Sequence, residues 1–174
     1  MKTIIETERL ILREFVQEDY LSVFIFGSNK EVQKYTGDIL LRSENEAKKI
    51  IQNIWFSDYK KYGYGRWAVV HKSDNKIIGF SGLKYLPEID ETDIGFRLLP
   101  KYWSLGIATE SAIPILKYGL ETLKLNRIVG IADPLNIASC KVLEKIGLTF
   151  FKFDFYDKID NKKYNWYQII NSLE

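Results

Sequence analysis

The sequence contains one cysteine, Cys140, and one histidine, His71. A lone cysteine cannot form an internal disulfide. Structural zinc sites take their ligands from several cysteines and histidines at short spacing, and this sequence does not offer such a set. We therefore expect neither a disulfide nor a bound metal ion.

Long apolar runs and a strong excess of charge are also missing. The first ten residues, MKTIIETERL, become charged too soon to supply the apolar region of a secretory signal, and no stretch is apolar enough to span a bilayer. We expect a cytoplasmic protein without a membrane partner. The formal net charge is +2 and the densest basic group is Lys158, Lys162 and Lys163, so we expect no nucleic-acid partner.

The overall composition is that of an ordinary globular protein. Hydrophobic residues make up 46% and charged residues 28% of the 174 residues. This length fills one core well and is short for two, since domains usually run to about 100–150 residues. We expect residues 1–174 to form a single domain.

The first half of the sequence predicts helices followed by a sheet. Alternating leucines predict a strand over residues 9–16, and a short helix should follow over residues 18–28. Ser43 with Glu46 three residues later has the form of a capping box and predicts the start of another helix. Short turns then join GRWAVVHK, KIIGFSGLKYL and TDIGFRLL, which predicts an antiparallel meander.

After Pro100 the pattern alternates between helix and strand, which predicts a βαβ unit joined to the meander. A helix over residues 106–123 precedes the strand RIVGIA, and the next helix ends before Gly147. Two final strands complete an α+β (mixed α/β) fold, a mostly antiparallel mixed sheet flanked by helices. Pro114 removes a backbone hydrogen bond inside the first of these helices, so we expect a kink or a late helix start there.

The stretch YWSLGIATES, residues 102–111, lies where a strand gives way to a helix. The first turn of a helix presents backbone N–H groups without partners and the positive end of the dipole, so it binds phosphate readily. Gly106 allows close approach, Ala108 adds little bulk, and Ser104 and Thr109 offer hydroxyl donors. The stretch therefore predicts a phosphate-binding loop.

Two common phosphate-binding motifs fit this stretch poorly. A Walker loop ends in Gly-Lys-Ser/Thr, and the stretch has no lysine. A dinucleotide fingerprint would place its small residues at Gly106, Ala108 and Ser111, with Asp133 as the ribose-binding acid. A Rossmann domain is built of successive parallel units, however, whereas this sequence predicts an antiparallel meander first. A dinucleotide-dependent oxidoreductase is thus a distant alternative.

Residues 93–148 resemble the acetyl-CoA-binding core of the GNAT superfamily of N-acetyltransferases. With TERLILREF near the start, they resemble more narrowly the branch that contains the ribosomal-protein N-terminal acetyltransferases. The family's diphosphate loop, Gln/Arg-x-x-Gly-x-Gly/Ala, falls on residues 103–108, where Gly106 and Ala108 match and Trp103 departs from Gln/Arg. The resemblance implies an acetyl-CoA-dependent N-acetyltransferase with a sheet that is splayed at its centre.

The resemblance also implies which residues bind the coenzyme. The backbone of the splayed strand would pair with the pantetheine arm, Asn136 would hold that arm, and Ser139 would lie near the sulfur. The implied coenzyme-binding residues are Phe96, Arg97, Leu98, Trp103, Ser104, Leu105, Gly106, Ile107, Ala108, Thr109, Asn136 and Ser139.

Acetyl transfer to an amine needs a neutral amine, a polarised thioester carbonyl and a proton for the departing thiolate. We expect the backbone N–H of Leu98 to polarise the carbonyl, Ser139 to protonate the thiolate, and Asp93 to accept the amine proton through water. Ser139 could instead be an ordinary helix serine, and Asp93 a solvated charge of the hairpin EIDETD. Cys140 is better explained as a buried residue than as an acetylated nucleophile, so we expect direct transfer.

The acceptor would be a primary amine of a small molecule or of a protein N-terminus, and a homodimer is compatible with the resemblance. The rival hypothesis is a module that binds acyl-CoA without catalysis. The acidic residues of the hairpin at 88–93 could attract a cationic acceptor. A group of aromatic residues could wall an acceptor cleft, although such residues usually belong to the core. They are Trp55, Phe56, Tyr59, Tyr62, Tyr64 and Trp67.

Overall fold

The computed structural model describes residues 2–155 and 162–171. Eight strands form one sheet in the order β1-β2-β3-β4-β5-β6-β8-β7. The strands are β1 (Thr3–Glu6), β2 (Leu10–Arg13), β3 (Arg66–His71), β4 (Lys76–Leu86), β5 (Glu91–Leu98), β6 (Arg127–Ala132), β7 (Thr149–Phe155) and β8 (Lys163–Ile170). The helices are α1 (Tyr20–Gly27), α2 (Lys30–Gln33), α3 (Glu44–Ile50), α4 (Phe56–Tyr62), α5 (Ile107–Lys117) and α6 (Ile137–Lys145).

The predicted fold class is confirmed. Strands β3, β4 and β5 pair antiparallel in sequence order, as expected of a meander. Helix α5 then connects β5 to β6, and these two strands pair in parallel as a βαβ unit. The strand predicted over residues 9–16 is β2 and is shorter than expected. Strand β1 was not predicted, because its four residues are too few to show an alternating pattern. The predicted turn that contains Lys158 lies outside the described residues.

Helices pack on both faces of the sheet. Phe80 on β4 belongs to an apolar cluster with Phe26 of α1 and Ala47 of α3. The next residue, Ser81, accepts a hydrogen bond from the hydroxyl of Ser111 on α5 at 3.0 Å. Successive side chains of a strand point to opposite faces. Helices α1 and α3 therefore cover one face of the sheet, and α5 covers the other.

The predicted start of α3 is confirmed. The Ser43 hydroxyl accepts a hydrogen bond from the Glu46 N–H at 3.3 Å, which is the expected N-cap. The Glu46 carboxylate accepts its bond from the Arg42 N–H, one residue before the position that a full capping box uses. A π-helical segment, Ile51–Trp55, then leads into α4, and Trp55 is buried while Ile54 is 40% exposed.

Of the kink or late helix start expected at Pro114, the late start is wrong. Helix α5 begins at Ile107 and continues past Pro114 to Lys117. Its buried face, which includes Ile107, Ala112 and Ile115, packs into the main core, and a later start would remove the first turn from that packing. A π-helical segment, Tyr118–Thr122, follows α5.

Candidate active site

Strands β5 and β6 separate at the centre of the sheet. Their register has one residue pair, Asp93 opposite Val129. Beyond Asp93, β5 continues for five residues to Leu98 and stays paired with β4 up to the pair of Gly79 and Leu98. A gap therefore opens between β5 and β6 on the C-terminal side of Asp93, and we call it the fork.

A buried ion pair closes the narrow end of the fork. The Arg66 guanidinium bonds to Asp93 Oδ2, and both side chains are 11% exposed. The other carboxylate oxygen, Oδ1, accepts the Ile131 N–H of β6 at 3.3 Å. Burial raises the pKa of Asp93, and the charge and hydrogen bond of Arg66 oppose that shift. The interpretation of Asp93 as a solvated hairpin residue is wrong, because both of its oxygens are engaged inside the protein.

Glycine at position 95 makes room for this ion pair. A Cβ at Gly95 would lie 2.6 Å from Nη2 of Arg66. Arg66 also donates to two backbone carbonyls, those of Gly82 and of Asp93. The guanidinium therefore lies across β4 and β5 at the place where the fork begins.

The backbone of Leu98 faces the fork. The next residue, Leu99, donates its N–H to Ile78 of β4 at 2.8 Å, so the backbone groups of Leu99 point toward β4. Backbone groups of successive strand residues point to opposite edges, which turns those of Leu98 toward β6. The Trp103 indole N–H donates to the Leu98 carbonyl at 2.6 Å on that side. The N–H of Leu98 is thus directed at the space where the predicted thioester carbonyl would lie.

The predicted phosphate-binding loop follows β5 and leads into α5. Ser104 and Gly106 both have positive φ, 59° and 76°. Ala108 and Thr109 are half-buried in the first turn of α5, while Ile107 is buried and offers only its backbone. Within residues 2–155 and 162–171, no acceptor takes the N–H of Gly106. A Cβ there would meet only Arg9, at 3.7 Å, so the loop leaves open space for an anion.

Asn136 and Ser139 lie at the start of α6. The Asn136 side-chain oxygen accepts the Ser139 N–H at 3.2 Å, so the Asn-x-x-Ser motif works as an N-cap. The Ser139 hydroxyl has no hydrogen-bond partner in the described part of the chain. Cys140 is buried, as expected, with its thiol 3.8 Å from the carbonyl of Asp133. Asp133 is itself buried and paired with Lys162, so it is not a free ribose-binding acid.

Arg97 joins β5 to α2 and to the segment after it, and the sequence does not reveal these contacts. Its guanidinium donates to Gln33 Oε1 at 2.9 Å and forms an ion pair with Asp38. Burial lowers the pKa of Arg97, and the charge of Asp38 opposes that shift. Phe80 lies beside Arg97 on the same face, with 5.3 Å between the guanidinium carbon and the ring centre. The side chain of Arg97 therefore points to the face covered by α1 and α3.

The hairpin acids and the aromatic group have different outcomes in the structure. Of the hairpin acids, Glu91 pairs with Arg127, and Asp93 is buried with Arg66, so the four acids do not form one free acidic surface. Most of the aromatic group belongs to the core rather than to a cleft. The buried members are Trp55, Tyr64 and Trp67. Tyr59 and Tyr62 are half-buried, and Phe56 is 37% exposed.

In residues 2–155 and 162–171, no three His, Cys, Asp or Glu side chains are grouped so that they could hold a metal ion. None of the helices in that part of the chain has both the length and the apolar character needed to cross a membrane.

Comparison with known proteins agrees with this geometry. Residues 9–149 match the family model described as acetyltransferase (GNAT) domain. The uncharacterized N-acetyltransferase YoaA of Bacillus subtilis is 32% identical over 148 residues, which cover 84% of this chain and 83% of that protein. The chain belongs to the GNAT family of N-acetyltransferases, which transfer acetyl from acetyl-CoA. The dinucleotide-dependent alternative is wrong.

Solved structures show the same fold. A GNAT-family acetyltransferase from Bacillus anthracis superposes with a TM-score of 0.80 at 27% identity, covering 96% of this chain and 98% of that one. RimL, a ribosomal L7/L12 alpha-N-protein acetyltransferase solved with coenzyme A, superposes with a TM-score of 0.84. Its identity is 18% over 99% of this chain and 100% of that one, so this likeness concerns the fold alone.

Proposed function

We propose that this chain transfers acetyl from acetyl-CoA directly to a primary amine, with both substrates bound at once. The observation that carries the proposal is the fork with a phosphate-binding loop at its mouth. The backbone of Leu98 faces the fork, and no acceptor in the described part of the chain takes the N–H of Gly106 at the loop. Together they provide a donor for a thioester carbonyl and a place for a diphosphate.

The coenzyme would lie along the splayed end of β5. Phe96, Arg97 and Leu98 would pair with the pantetheine arm through their backbone, and the loop residues 103–109 would bind the diphosphate. Asn136 would hold the arm through its side-chain NH₂, because its oxygen already caps α6. These residues fit the coenzyme because the loop has open space and the strand edge lacks a neighbour beyond Asp93.

In the reaction, the amine nitrogen forms a bond with the acetyl carbon, the bond between that carbon and sulfur breaks, and the amine loses a proton. We assign the proton on the departing thiolate to Ser139, whose hydroxyl has no partner among residues 2–155 and 162–171 and would regain a proton from solvent as the amine proton is released. Asp93 is the predicted acceptor of the amine proton through water. Because its carboxylate already binds Arg66 and the Ile131 N–H, proton transfer to Asp93 would have to weaken a buried ion pair.

A covalent acetyl-enzyme is disfavoured by the environment of Cys140. Its thiol is buried and close to the Asp133 carbonyl and the Asn165 amide, with no imidazole as a base. Direct transfer therefore requires the amine and acetyl-CoA to occupy the fork together.

The test is a panel of amines with purified protein, with release of free thiol as the readout. The panel contains a polyamine, free amino acids, an aminoglycoside and peptides with free N-termini. Initial rates that vary both substrates should give intersecting lines in a double-reciprocal plot, because both substrates bind before transfer. Parallel lines, with radiolabelled acetyl on the protein, would contradict direct transfer. Binding of acetyl-CoA without thiol release from any amine would favour a non-catalytic acyl-CoA-binding module.

A further inference from the structure

A network from the start of β2 reaches the phosphate-binding loop. The Arg9 guanidinium donates through Nε to Glu110 Oε2 at 2.6 Å, and Nη2 lies 2.6 Å from the same oxygen. Its third nitrogen, Nη1, donates to the Leu105 carbonyl at 3.0 Å. Arg9 therefore ties the first turn of α5 and the loop before it to a strand about a hundred residues earlier in the sequence.

Glu110 is held from more than one side. Its Oε1 accepts the Thr7 hydroxyl at 2.6 Å and the Arg9 N–H at 3.0 Å. Burial alone would raise the pKa of Glu110, but these bonds and the Arg9 charge outweigh burial and hold that pKa below its ordinary value. A carboxylate in the first turn of α5 would repel a diphosphate if it were unpaired. Paired with Arg9, it serves as an anchor for the guanidinium.

The bond to Leu105 fixes the direction of one amide. The Leu105 carbonyl and the Gly106 N–H belong to the same planar peptide unit, and in a trans peptide they point in opposite directions. Because Arg9 holds the carbonyl on the side of β2, the Gly106 N–H must point away from Arg9, to the open side of the loop. A flip of this peptide would turn the carbonyl oxygen toward the place where an anion would bind.

We propose that Arg9, anchored by Glu110, is a positioning residue that holds the Leu105–Gly106 peptide with its N–H directed at the coenzyme diphosphate. This proposal rests on the proposed function, since it requires that the loop binds acetyl-CoA. Arg9 does not need to touch the coenzyme. Trp103, which stands where the loop motif has Gln or Arg, cannot take this role, because its indole N–H is bonded to the Leu98 carbonyl.

The test compares CoA with pantetheine, which lacks the diphosphate, by titration calorimetry. Arg9→Lys is the main variant, because one ammonium cannot hold Glu110 and Leu105 in the geometry of a guanidinium fork. We expect the Kd of this variant for CoA to rise about tenfold, which corresponds to the loss of one hydrogen bond to a charged group. Its Kd for pantetheine should change less than about twofold. Arg9→Ala should show an equal or larger selective loss.

Lys72→Met is the matched control. Lys72 lies in the same corner and donates to the Thr7 carbonyl at 2.5 Å, but it does not contact the loop. The Lys72→Met variant should unfold at a lower temperature than wild-type protein, with unchanged Kd values for CoA and for pantetheine. In wild-type protein the Gly106 amide resonance should shift when CoA is added, and in Arg9→Lys this shift should be much smaller.

The results separate three cases. Equal loss of CoA and pantetheine affinity in Arg9→Lys would overturn the proposal, since it would indicate a general structural role. Tighter CoA binding by Glu110→Ala would also overturn it, because it would identify Arg9 as a phosphate ligand that Glu110 opposes. If wild-type protein binds no CoA, the proposed function itself fails, independently of Arg9.

Discussion

Removal of Arg66 should make the stability of the protein depend on pH through Asp93. In Arg66→Met the Asp93 carboxylate stays buried but loses its cation, and breaking a buried pair in this way costs about 3–5 kcal/mol. Both side chains are 11% exposed, so water can screen little of this loss. The carbonyls of Gly82 and Asp93 also lose a donor, which adds about 1–2 kcal/mol that does not depend on pH.

The sign of the pH dependence follows from the direction of the pKa shift. Burial already raises the pKa of Asp93, and loss of Arg66 removes the main influence that lowers it. Between the unfolded pKa, about 3.9, and the raised folded pKa, the native state binds more protons than the unfolded state. Stability therefore falls as pH rises through this window, and the cost of Arg66→Met is smallest at low pH.

Urea denaturation at pH 4.5, 6 and 7.5 would measure this effect, with tryptophan fluorescence as the probe. Wild-type protein provides the reference at each pH. The double variant Arg66→Met with Asp93→Asn should recover most of the pH-dependent part, because no buried charge remains. A destabilisation below about 1 kcal/mol at pH 7.5, or one that is equal at all three pH values, would refute the assignment of a buried, partner-dependent Asp93.

Three other predictions concern the coenzyme site. Ser139→Ala should lower kcat by about a hundredfold with an unchanged Kd for acetyl-CoA, and unchanged turnover would remove Ser139 as the acid. Gly106→Ala should weaken acetyl-CoA binding severalfold. Its control is Gly63→Ala, because Gly63 has nearly the same φ (77° against 76°), so both variants should cost about 1 kcal/mol of stability but only Gly106→Ala should change binding. Equal Kd values for the two variants would argue against an anion at Gly106. Asn136→Ala should lose about 1 kcal/mol of stability with the N-cap, while Asn136→Asp should keep the cap and still weaken coenzyme binding; a normal Kd in Asn136→Asp would exclude the side-chain NH₂ as a ligand.

The sequence predicts the local elements well because their signals are local. The Ser43 cap and the glycine stop after α6 are readable from a few neighbouring residues, and both are confirmed. The loop at Gly106 could be predicted for the same reason. The meander and the βαβ unit follow from the alternation of helix and strand, and the fork follows from the resemblance. The position of β8 between β6 and β7 was not predicted.

The partners of the site residues could not be predicted, because they depend on strand register and on distant contacts. Arg66 and Asp93 meet only when β3, β4 and β5 pair in their observed register. Arg9 and Glu110 are separated by 101 residues, and nothing in either local pattern indicates the other. One signal was available for the first pair, since the glycine at position 95 leaves space beside a buried strand for a long side chain.

The register of β5 assigns different chemistry to its two faces, and Gly79 of β4 fits that register. Gly79 has φ 152° and lies opposite Leu98, and a Cβ there would come within 1.9 Å of the Arg97 carbonyl. Only glycine therefore allows β4 to approach β5 this closely at the C-terminal end of β5. A slip of one residue would exchange the faces of all β5 side chains, moving Asp93 and Arg97 toward α5. Because Gly79 accommodates the close approach that the observed register requires, the charged pairs stay on the face of α1 and α3, and the Leu98 N–H stays directed into the fork.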